Sequence, residues 1–156
     1  MRINIVAVGK IKEKYFTDAI SEYSKRLSRF CEYKIIEVDE YKNNKTSAEE
    51  INITKNEEGK RILSKAKGYL IAMDKGGKML SSEDLAIKIK DLTTYGNSEI
   101  TFIIGGSNGL SSEVLNKVDE KISFGKVTYP HQLMRVIMSE QIYRAFTINN
   151  GVPYHK

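Results

Sequence analysis

The sequence contains few of the residues from which disulfide frameworks and metal centres are built. Its 156 residues include one cysteine, Cys31, and two histidines, His131 and His155. A lone cysteine allows no internal disulfide, and it follows an amphipathic segment, where a structural role is more common than a nucleophilic one. Two distant histidines do not have metal-ligand spacing. We therefore expect neither a metal site nor a metal-dependent reaction.

Long apolar runs and several catalytic signatures are also missing. No apolar run approaches the roughly 18 residues of a membrane span, and no signal-like segment opens the sequence, which predicts a cytoplasmic protein without a membrane partner. The sequence has no G-x-S-x-G elbow, no G-x-x-x-x-G-K-[ST] phosphate loop and no G-x-G-x-x-G dinucleotide fingerprint. A serine hydrolase of that type and the common nucleotide-binding loops are thereby disfavoured.

The composition is that of a folded, moderately basic protein. Apolar residues make up 40% and charged residues 29%, and the formal net charge is +5. A chain of this length fits one domain, over residues 1–156. The positive charge points mildly towards a polyanionic partner such as RNA, and a homodimer would carry twice that charge.

Hydrophobic periodicity predicts an alternation of strands and helices. Apolar, β-branched runs at 3–8, 33–38, 69–73, 100–104 and 122–124 are typical of strands covered on both faces. Between them, helical spacing or capping signals predict helices at about 12–29 and 48–65, from Ser81 or Ser82 to near Gly96, and after Ser111 or Ser112. A last helix begins at Pro130. The pattern predicts an α/β fold with a mostly parallel sheet flanked by helices.

Three loops should meet at the carboxyl ends of the strands, where such sheets bind ligands. They span residues 73–78, 105–109 and 125–130 and contain most of the closely spaced glycines. Each loop alone is more often a simple turn. Together they offer backbone groups that approach a ligand closely, which suits a transfer driven by positioning rather than by a covalent intermediate.

The last helix and the tail carry the remaining signals. Apolar residues occupy nearly every face of the helix, yet Arg135, Glu140, Gln141 and Arg144 are set among them and need partners. Such a helix suits a subunit interface beside a polar site. The polar tail at 147–156 would ordinarily be frayed, but it carries the second histidine. Tyr129 is either a stacking platform or core, and His131 is either functional or a helix-start residue with local hydrogen bonds.

Several motifs together resemble one known family. They are VAVGK near the start, GK at Gly77 and Lys78, IGGSNGL at 104–110, YPHQLMRVIMSEQIYRAF at 129–146 and the terminal PYHK. The combination resembles the bacterial ribosomal RNA large subunit methyltransferase H family, small enzymes of the SPOUT class, along the whole chain. The resemblance implies a SPOUT fold with a deep trefoil knot at about 100–146 and a functional tail at 147–156.

The same resemblance implies an activity and its partners. The protein would be a homodimer that uses S-adenosylmethionine and no metal. It would methylate N3 of the pseudouridine at position 1915 of 23S ribosomal RNA, in the assembled 70S ribosome. Arg144 would favour the deprotonated ring, and His155 or Tyr154 would accept its proton. The cofactor would be bound by Met73, where many relatives have leucine, and by Gly105, Phe124, Gly125, Lys126, Val127, Thr128 and Tyr129.

Two alternatives from other classes stay open on the sequence. One is a non-catalytic, ribosome-associated RNA-binding factor that has the SPOUT fold but does not consume S-adenosylmethionine. The other is a nucleotide-binding α/β protein of flavodoxin type, expected to be monomeric and to bind a phosphate-containing ligand. Lys10, Lys12 and Lys14 either contact RNA or are a solvated helix start.

Overall fold

The computed structural model describes residues 1–44 and 46–156, and over this part of the chain strands alternate with helices. Each predicted element is present, with ends shifted by one to three residues in most cases. The elements are β1 (Arg2–Val8), α1 (Lys14–Leu27), β2 (Glu32–Val38), α2 (Ala48–Lys65), β3 (Tyr69–Met79), α3 (Ser82–Thr94), β4 (Glu99–Ile104), α4 (Ser112–Lys117), β5 (Glu120–Ser123) and α5 (His131–Asn149).

The strands form one five-stranded sheet in the order β2-β1-β4-β3-β5. Every pairing of neighbouring strands is parallel, which confirms the α/β fold with helices as crossover connections. Consecutive parallel strands need such crossovers, because a short turn cannot return the chain to the same end of the sheet. The carboxyl ends of β3, β4 and β5 are brought together at one edge.

Helices cover both faces of the sheet, as the nearly continuous apolar strands require. One core lies against α1, α3 and α5, where Ile5 and Phe102 of the sheet meet Met138 and other side chains of these helices. The second core lies against α2 and α4, and contains Val6 and Ile62. Alternate residues of β1 thus enter opposite cores, in keeping with the two-residue period of a strand.

The predicted end of β3 at residue 73 is wrong. The strand continues to Met79, and both Met73 and Lys78 pair with Ile122 of β5, so the four residues between them bulge out of the ladder. Gly77 permits this arrangement, since a Cβ there would lie 2.6 Å from the backbone nitrogen of Ile122. The sequence DKGGK predicts a loop that closes the strand, but its first four residues are a bulge within the strand and Lys78 pairs with β5 again. Bulges of this kind aim neighbouring side chains away from the sheet.

The charged side chains of α5 find partners, as the sequence required. Arg135 is fully buried and donates from Nη1 to Glu37 Oε2 at 2.8 Å, and from Nη2 to the carbonyls of Val8 and Gly9 at 2.6 and 2.8 Å. Its Nε is buried without a hydrogen-bond partner in the described part of the chain. Arg135 therefore ties the first turns of α5 to the ends of β1 and β2. None of the helices in residues 1–44 and 46–156 has both the length and the apolar character to cross a membrane.

Candidate active site

A pocket of about 720 Å³ lies at the carboxyl ends of β3, β4 and β5. This volume is in the range of small-molecule sites, which commonly measure about 300–1,000 Å³. Its wall is formed by the three loops that the sequence placed there and by the start of α5. The lining residues are Met73 to Lys75, Ile104 to Leu110, Ile122 to Gly125, Val127 to His131, and Met134.

Glycines shape the central loop of the pocket. A Cβ on Gly105 would lie 2.9 Å from the carbonyl carbon of Gly109, so a side chain cannot fit between these two backbone segments. Gly109 itself has φ +83°, which favours glycine, and it forms an isolated bridge with Gly106. The loop after β4 is therefore narrow and exposes backbone groups to the cavity.

The residues expected to bind the cofactor lie mostly in this wall. Seven of the eight line the pocket, and the eighth, Lys126, is exposed and outside the lining. The lining seven are Met73, Gly105, Phe124, Gly125, Val127, Thr128 and Tyr129. Their convergence brings three loops from distant parts of the sequence to one cavity, although their part in binding stays a prediction.

The sequence reasoning did not assign Asp74 and Met134, which also line the pocket. Asp74 is the one carboxylate among the described lining residues, and its Oδ2 accepts a hydrogen bond from the amide of Gly76 at 3.0 Å. That bond fixes the side chain against the bulge of β3. An acidic residue directly after a buried strand was the available signal for Asp74, whereas Met134 reads as ordinary core in a helix that is apolar on most faces.

His131 stands at the rim of the pocket, in the first turn of α5. Burial lowers its pKa, and the charge of Arg135 one helical turn later lowers it further. The imidazole is therefore neutral at physiological pH. A neutral ring with one N–H and one lone pair can donate to one group and accept from another.

A polar cluster surrounds Arg144 in the second half of α5. Its Nε donates to Glu140 Oε1 at 2.9 Å, and its Nη1 lies 3.0 Å from His155 Nδ1. The guanidinium also stacks over the ring of Tyr154, 4.9 Å from its centroid. The tail is thus ordered against α5 rather than frayed, and the three predicted catalytic residues contact one another.

The contacts of His155 define its tautomer. A guanidinium can only donate, so Nδ1 accepts from Arg144, and the proton resides on Nε2. Nε2 then donates to Glu83 Oε1 at 2.6 Å, at the start of α3. Both ring nitrogens are engaged, and the ring is held between the guanidinium of Arg144 and the carboxylate of Glu83.

Tyr154 is a phenol rather than a phenolate in this setting. Burial raises its pKa to about 12, and the nearby carboxylate of Glu140 contributes in the same direction. The hydroxyl donates to Glu140 Oε1 at 3.1 Å. At neutral pH Tyr154 therefore acts as a hydrogen-bond donor, and it cannot take up another proton.

Within one chain, the pocket and the cluster around Arg144 lie apart. None of Arg144, Tyr154 and His155 is among the residues that line the pocket. Met134, in the pocket wall, and Arg144 are ten residues apart on the same helix, which corresponds to about 15 Å along its axis. A single chain therefore does not bring the predicted catalytic residues to the predicted cofactor residues.

Glu83 and Glu140 were not predicted to belong to the tail cluster. Glu140 precedes Arg144 by one helical turn, so the spacing of acid and base on α5 was a usable signal. Glu83 is 72 residues from His155 in sequence and reads as an ordinary acidic residue in a first helical turn, so no local signal pointed to it. Among the described residues, no group of three or more His, Cys, Asp and Glu side chains is arranged to hold a metal ion.

The fold resembles that of methyltransferases of known structure. A probable methylase family protein from Haemophilus influenzae aligns with a TM-score of 0.53 and 13% identity over 99% of this chain and 70% of the other. A tRNA (m1G37) methyltransferase from Aquifex aeolicus gives a TM-score of 0.51 and 14% identity over 92% and 70%. At these identities the likeness concerns the fold alone. A family model described as "Predicted SPOUT methyltransferase" matches residues 1–155, which defines the class.

Curated relatives narrow the class to one family. The ribosomal RNA large subunit methyltransferase H of Levilactobacillus brevis is 57% identical, and that of Clostridioides difficile 55% identical, each over the full length of both chains. The chain therefore belongs to the ribosomal RNA large subunit methyltransferase H family of SPOUT methyltransferases. This confirms the resemblance drawn from the sequence motifs.

Proposed function

We propose that the protein methylates N3 of a pseudouridine in 23S ribosomal RNA, on the assembled ribosome in the cytoplasm, with S-adenosylmethionine as methyl donor. The observation that carries the proposal is the glycine-lined pocket at the carboxyl ends of β3, β4 and β5, in a chain of a methyltransferase family. The relatives' names support large-subunit ribosomal RNA as the acceptor. The choice of pseudouridine N3 rests on the family resemblance.

The residues present in the pocket fit this cofactor. Apolar side chains such as Leu110, Phe124 and Met134 suit a purine ring, and the backbone of the glycine loop offers hydrogen bonds without side-chain bulk. The carboxylate of Asp74 suits a hydroxyl or cationic group. When bound, the cofactor supplies a methyl group that its positive sulfur makes reactive towards nucleophiles.

We further propose a homodimer in which the tail of one copy reaches the pocket of the other. The separation of the pocket and the cluster around Arg144 within one chain supports this arrangement. Large apolar side chains that are left exposed also support it, because a second copy would cover them: Met79, at the end of β3, and Val127, in the loop after β5, are 60% and 68% exposed. The deep trefoil knot over about 100–146, which the family resemblance implies, also stays a prediction.

The contacts in the tail favour His155 over Tyr154 as the group that accepts the proton. Methylation would form a bond from N3 to the methyl carbon while the bond from that carbon to the sulfur of the cofactor breaks, which leaves a neutral thioether. The N3 proton would also be released, so a base must be near. Tyr154 already carries its proton, whereas the lone pair of His155 Nδ1 becomes available once Arg144 shifts from it to the nucleotide. Glu83 would then stabilise the protonated imidazole through Nε2.

The charge of Arg144 would also affect the protonation of the pseudouridine that accepts the methyl group. A guanidinium beside the ring would favour its deprotonated form. In the present contacts that charge is partly balanced by Glu140, which also orients Arg144 through two nitrogens. We therefore assign Arg144 a double role, to hold the imidazole of His155 before the nucleotide arrives and to contact the pseudouridine ring afterwards.

The test is transfer of labelled methyl from S-adenosylmethionine to ribosomes that lack the modification, with naked 23S RNA as the comparison. We expect label in the RNA of ribosomes and much less in naked RNA. Ribosome binding without transfer, although the cofactor binds, would contradict the proposal and favour the non-catalytic RNA-binding factor.

A further inference from the structure

A second groove lies at the amino ends of β2, β1 and β4, opposite the pocket. Its volume is about 470 Å³, and the end of α2 forms one side. β4 runs between the two sites, from Glu99 in the groove to Ile104 in the pocket, which corresponds to about 17 Å at about 3.3 Å per residue. Most of the lining residues are charged, in contrast to the pocket. They are Arg2, Asn4, Glu32, Lys34, Ile36, Ser64, Lys65, Lys67 and Glu99.

The sheet changes from apolar to polar where it enters this groove. The row of the sheet centred on Val6 is part of the core beneath α2. In the next row towards the amino ends, Asn4 pairs with Lys34 on one side and Thr101 on the other. Asn4 is 6% exposed and Thr101 is fully buried. Polar side chains in a covered sheet are costly unless they are hydrogen-bonded, so this row calls for an explanation.

Part of the explanation is that the polar row fixes the backbone of the groove. Thr101 Oγ1 donates to the carbonyl of Lys67 at 2.6 Å, and Asn4 Nδ2 donates to Glu99 Oε2 at 2.9 Å. Gly68, with φ +79°, follows directly, and a Cβ there would collide with the carbonyl of Glu99. The connection that carries Lys67 is thus held against β4 and cannot drift with α2.

The side chains that line the groove carry an excess of positive charge. Among the described residues, four cationic and two acidic side chains line the groove. Arg2 pairs with Glu32 at 3.0 Å, and Glu99 is engaged by Asn4. Lys34, Lys65 and Lys67 are exposed, and in the described part of the chain no ion pair involves them. Lys65 also offsets the partial negative charge at the carboxyl end of α2, which leaves the other two lysines in excess.

We propose that this groove binds the phosphodiester backbone of ribosomal RNA, at a distance from the nucleotide that is methylated. Lys34, Lys65 and Lys67 contact phosphates, and the polar row beneath them keeps the backbone of Lys67 in place. Phosphate contacts fix the register and orientation of a protein on RNA without reading bases. The inference rests on the proposed RNA substrate. It adds a second RNA-binding site, at the amino ends of the strands, to the one at the pocket.

The experiment replaces the three lysines together by glutamine and measures affinity for unmethylated 70S ribosomes between about 50 and 200 mM salt. We expect the slope of log affinity against log salt to become shallower by about two to three, because each phosphate that is no longer neutralised removes close to one from the slope. The KM for ribosomes should rise at the higher salt, whereas kcat at saturating ribosomes stays unchanged. The same three positions changed to arginine should restore the slope.

A matched control replaces three exposed lysines on other helices, Lys25, Lys90 and Lys117, by glutamine. An equal reduction of the slope in this control would overturn the proposal, because net charge rather than the groove would then determine affinity. A groove variant with the parent slope, in a protein that still transfers methyl, would overturn it as well. If the parent protein itself transfers no methyl to ribosomes, the proposed function fails, and that result is distinct from a failure of the groove alone.

Discussion

At the scale of single residues, Arg135 determines how α5 is attached to the sheet. We expect Arg135→Met to lower the free energy of unfolding by about 1–3 kcal/mol, mainly because the carbonyls of Val8 and Gly9 lose their buried donor, whereas Glu37 is 38% exposed. Urea unfolding followed by circular dichroism measures this change.

The control variant for Arg135→Met is Arg2→Met. Arg2 pairs with Glu32, but both side chains are more than 60% exposed, and such pairs contribute about 0–1 kcal/mol. Similar losses of stability for both variants would contradict the role given to the buried guanidinium.

A second prediction at this scale concerns the proton acceptor. We expect His155→Ala to slow methyl transfer by about 10²–10⁴-fold, the usual contribution of general acid–base groups, and to leave the Kd for S-adenosylmethionine unchanged. Tyr154→Phe should have a smaller effect on transfer, since it removes one hydrogen bond to Glu140 and no base. Single-turnover rates and calorimetric binding measure the two quantities separately.

The test depends on which of the two variants loses more of the methyl-transfer rate. If Tyr154→Phe abolished transfer while His155→Ala left it intact, the proton would not pass to the imidazole.

The position of the pocket loops was predictable from the sequence because glycine-rich turns after apolar strands are local signals. Gly105 and Phe124 follow strands that periodicity identifies, so their place at the carboxyl edge follows from the α/β pattern. The partner of His155 was not predictable in this way. Glu83 reaches it only because α3 and α5 pack together, and no spacing in the sequence encodes that contact.

At the scale of elements, the bulge in β3 shapes one wall of the pocket. We expect Gly77→Ala to destabilise the protein by about 1–3 kcal/mol, because the new methyl group must push β5 away. The affinity for S-adenosylmethionine should fall as well, since Met73 and Asp74 lead into the bulge. Thermal unfolding and isothermal titration calorimetry test the two effects.

Gly76→Ala is the control for this bulge. Its Cβ would meet only the end of the Asp74 side chain, at 3.1 Å, which can move aside more readily than backbone. If Gly76→Ala destabilised the protein as much as Gly77→Ala, contact with β5 would not be the cause.

The bulge also shows a limit of sequence reasoning. Glycine pairs after a strand are typical of turns, and DKGGK was assigned as one. That β3 resumes after Gly77 depends on its pairing with β5, which starts more than 40 residues later. Local propensity does not include that partner, so the strand end was placed too early.

At the scale of the whole molecule, the separation of pocket and tail leads to a prediction about mixed dimers. Gly105→Val should block the pocket and His155→Ala should disable the tail, so each variant alone should be inactive. Co-expressed, the two should recover about a quarter of the parent activity, because half of randomly paired C2 dimers are mixed and each then has one intact composite site.

The recovery distinguishes two arrangements. If each tail served the pocket of its own chain, every site in the mixed dimer would contain one defect, and co-expression would restore nothing. Analytical ultracentrifugation of the mixture confirms that dimers are present before activity is compared.

The order of the strands and the path of the chain were beyond sequence reasoning at this scale. The α/β class followed from alternating strand and helix patterns, but several orders of five parallel strands bury the same apolar residues equally well. The trefoil knot is likewise implied by family resemblance only, since periodicity contains no information on threading.

The atom that receives the methyl group is identified by mass spectrometry of the nucleosides released from ribosomes after reaction with the purified protein. We expect N3-methylpseudouridine in 23S RNA, present with S-adenosylmethionine and absent without it. A methyl group on another atom or on another nucleoside would contradict the proposed specificity, even if transfer to ribosomes were efficient.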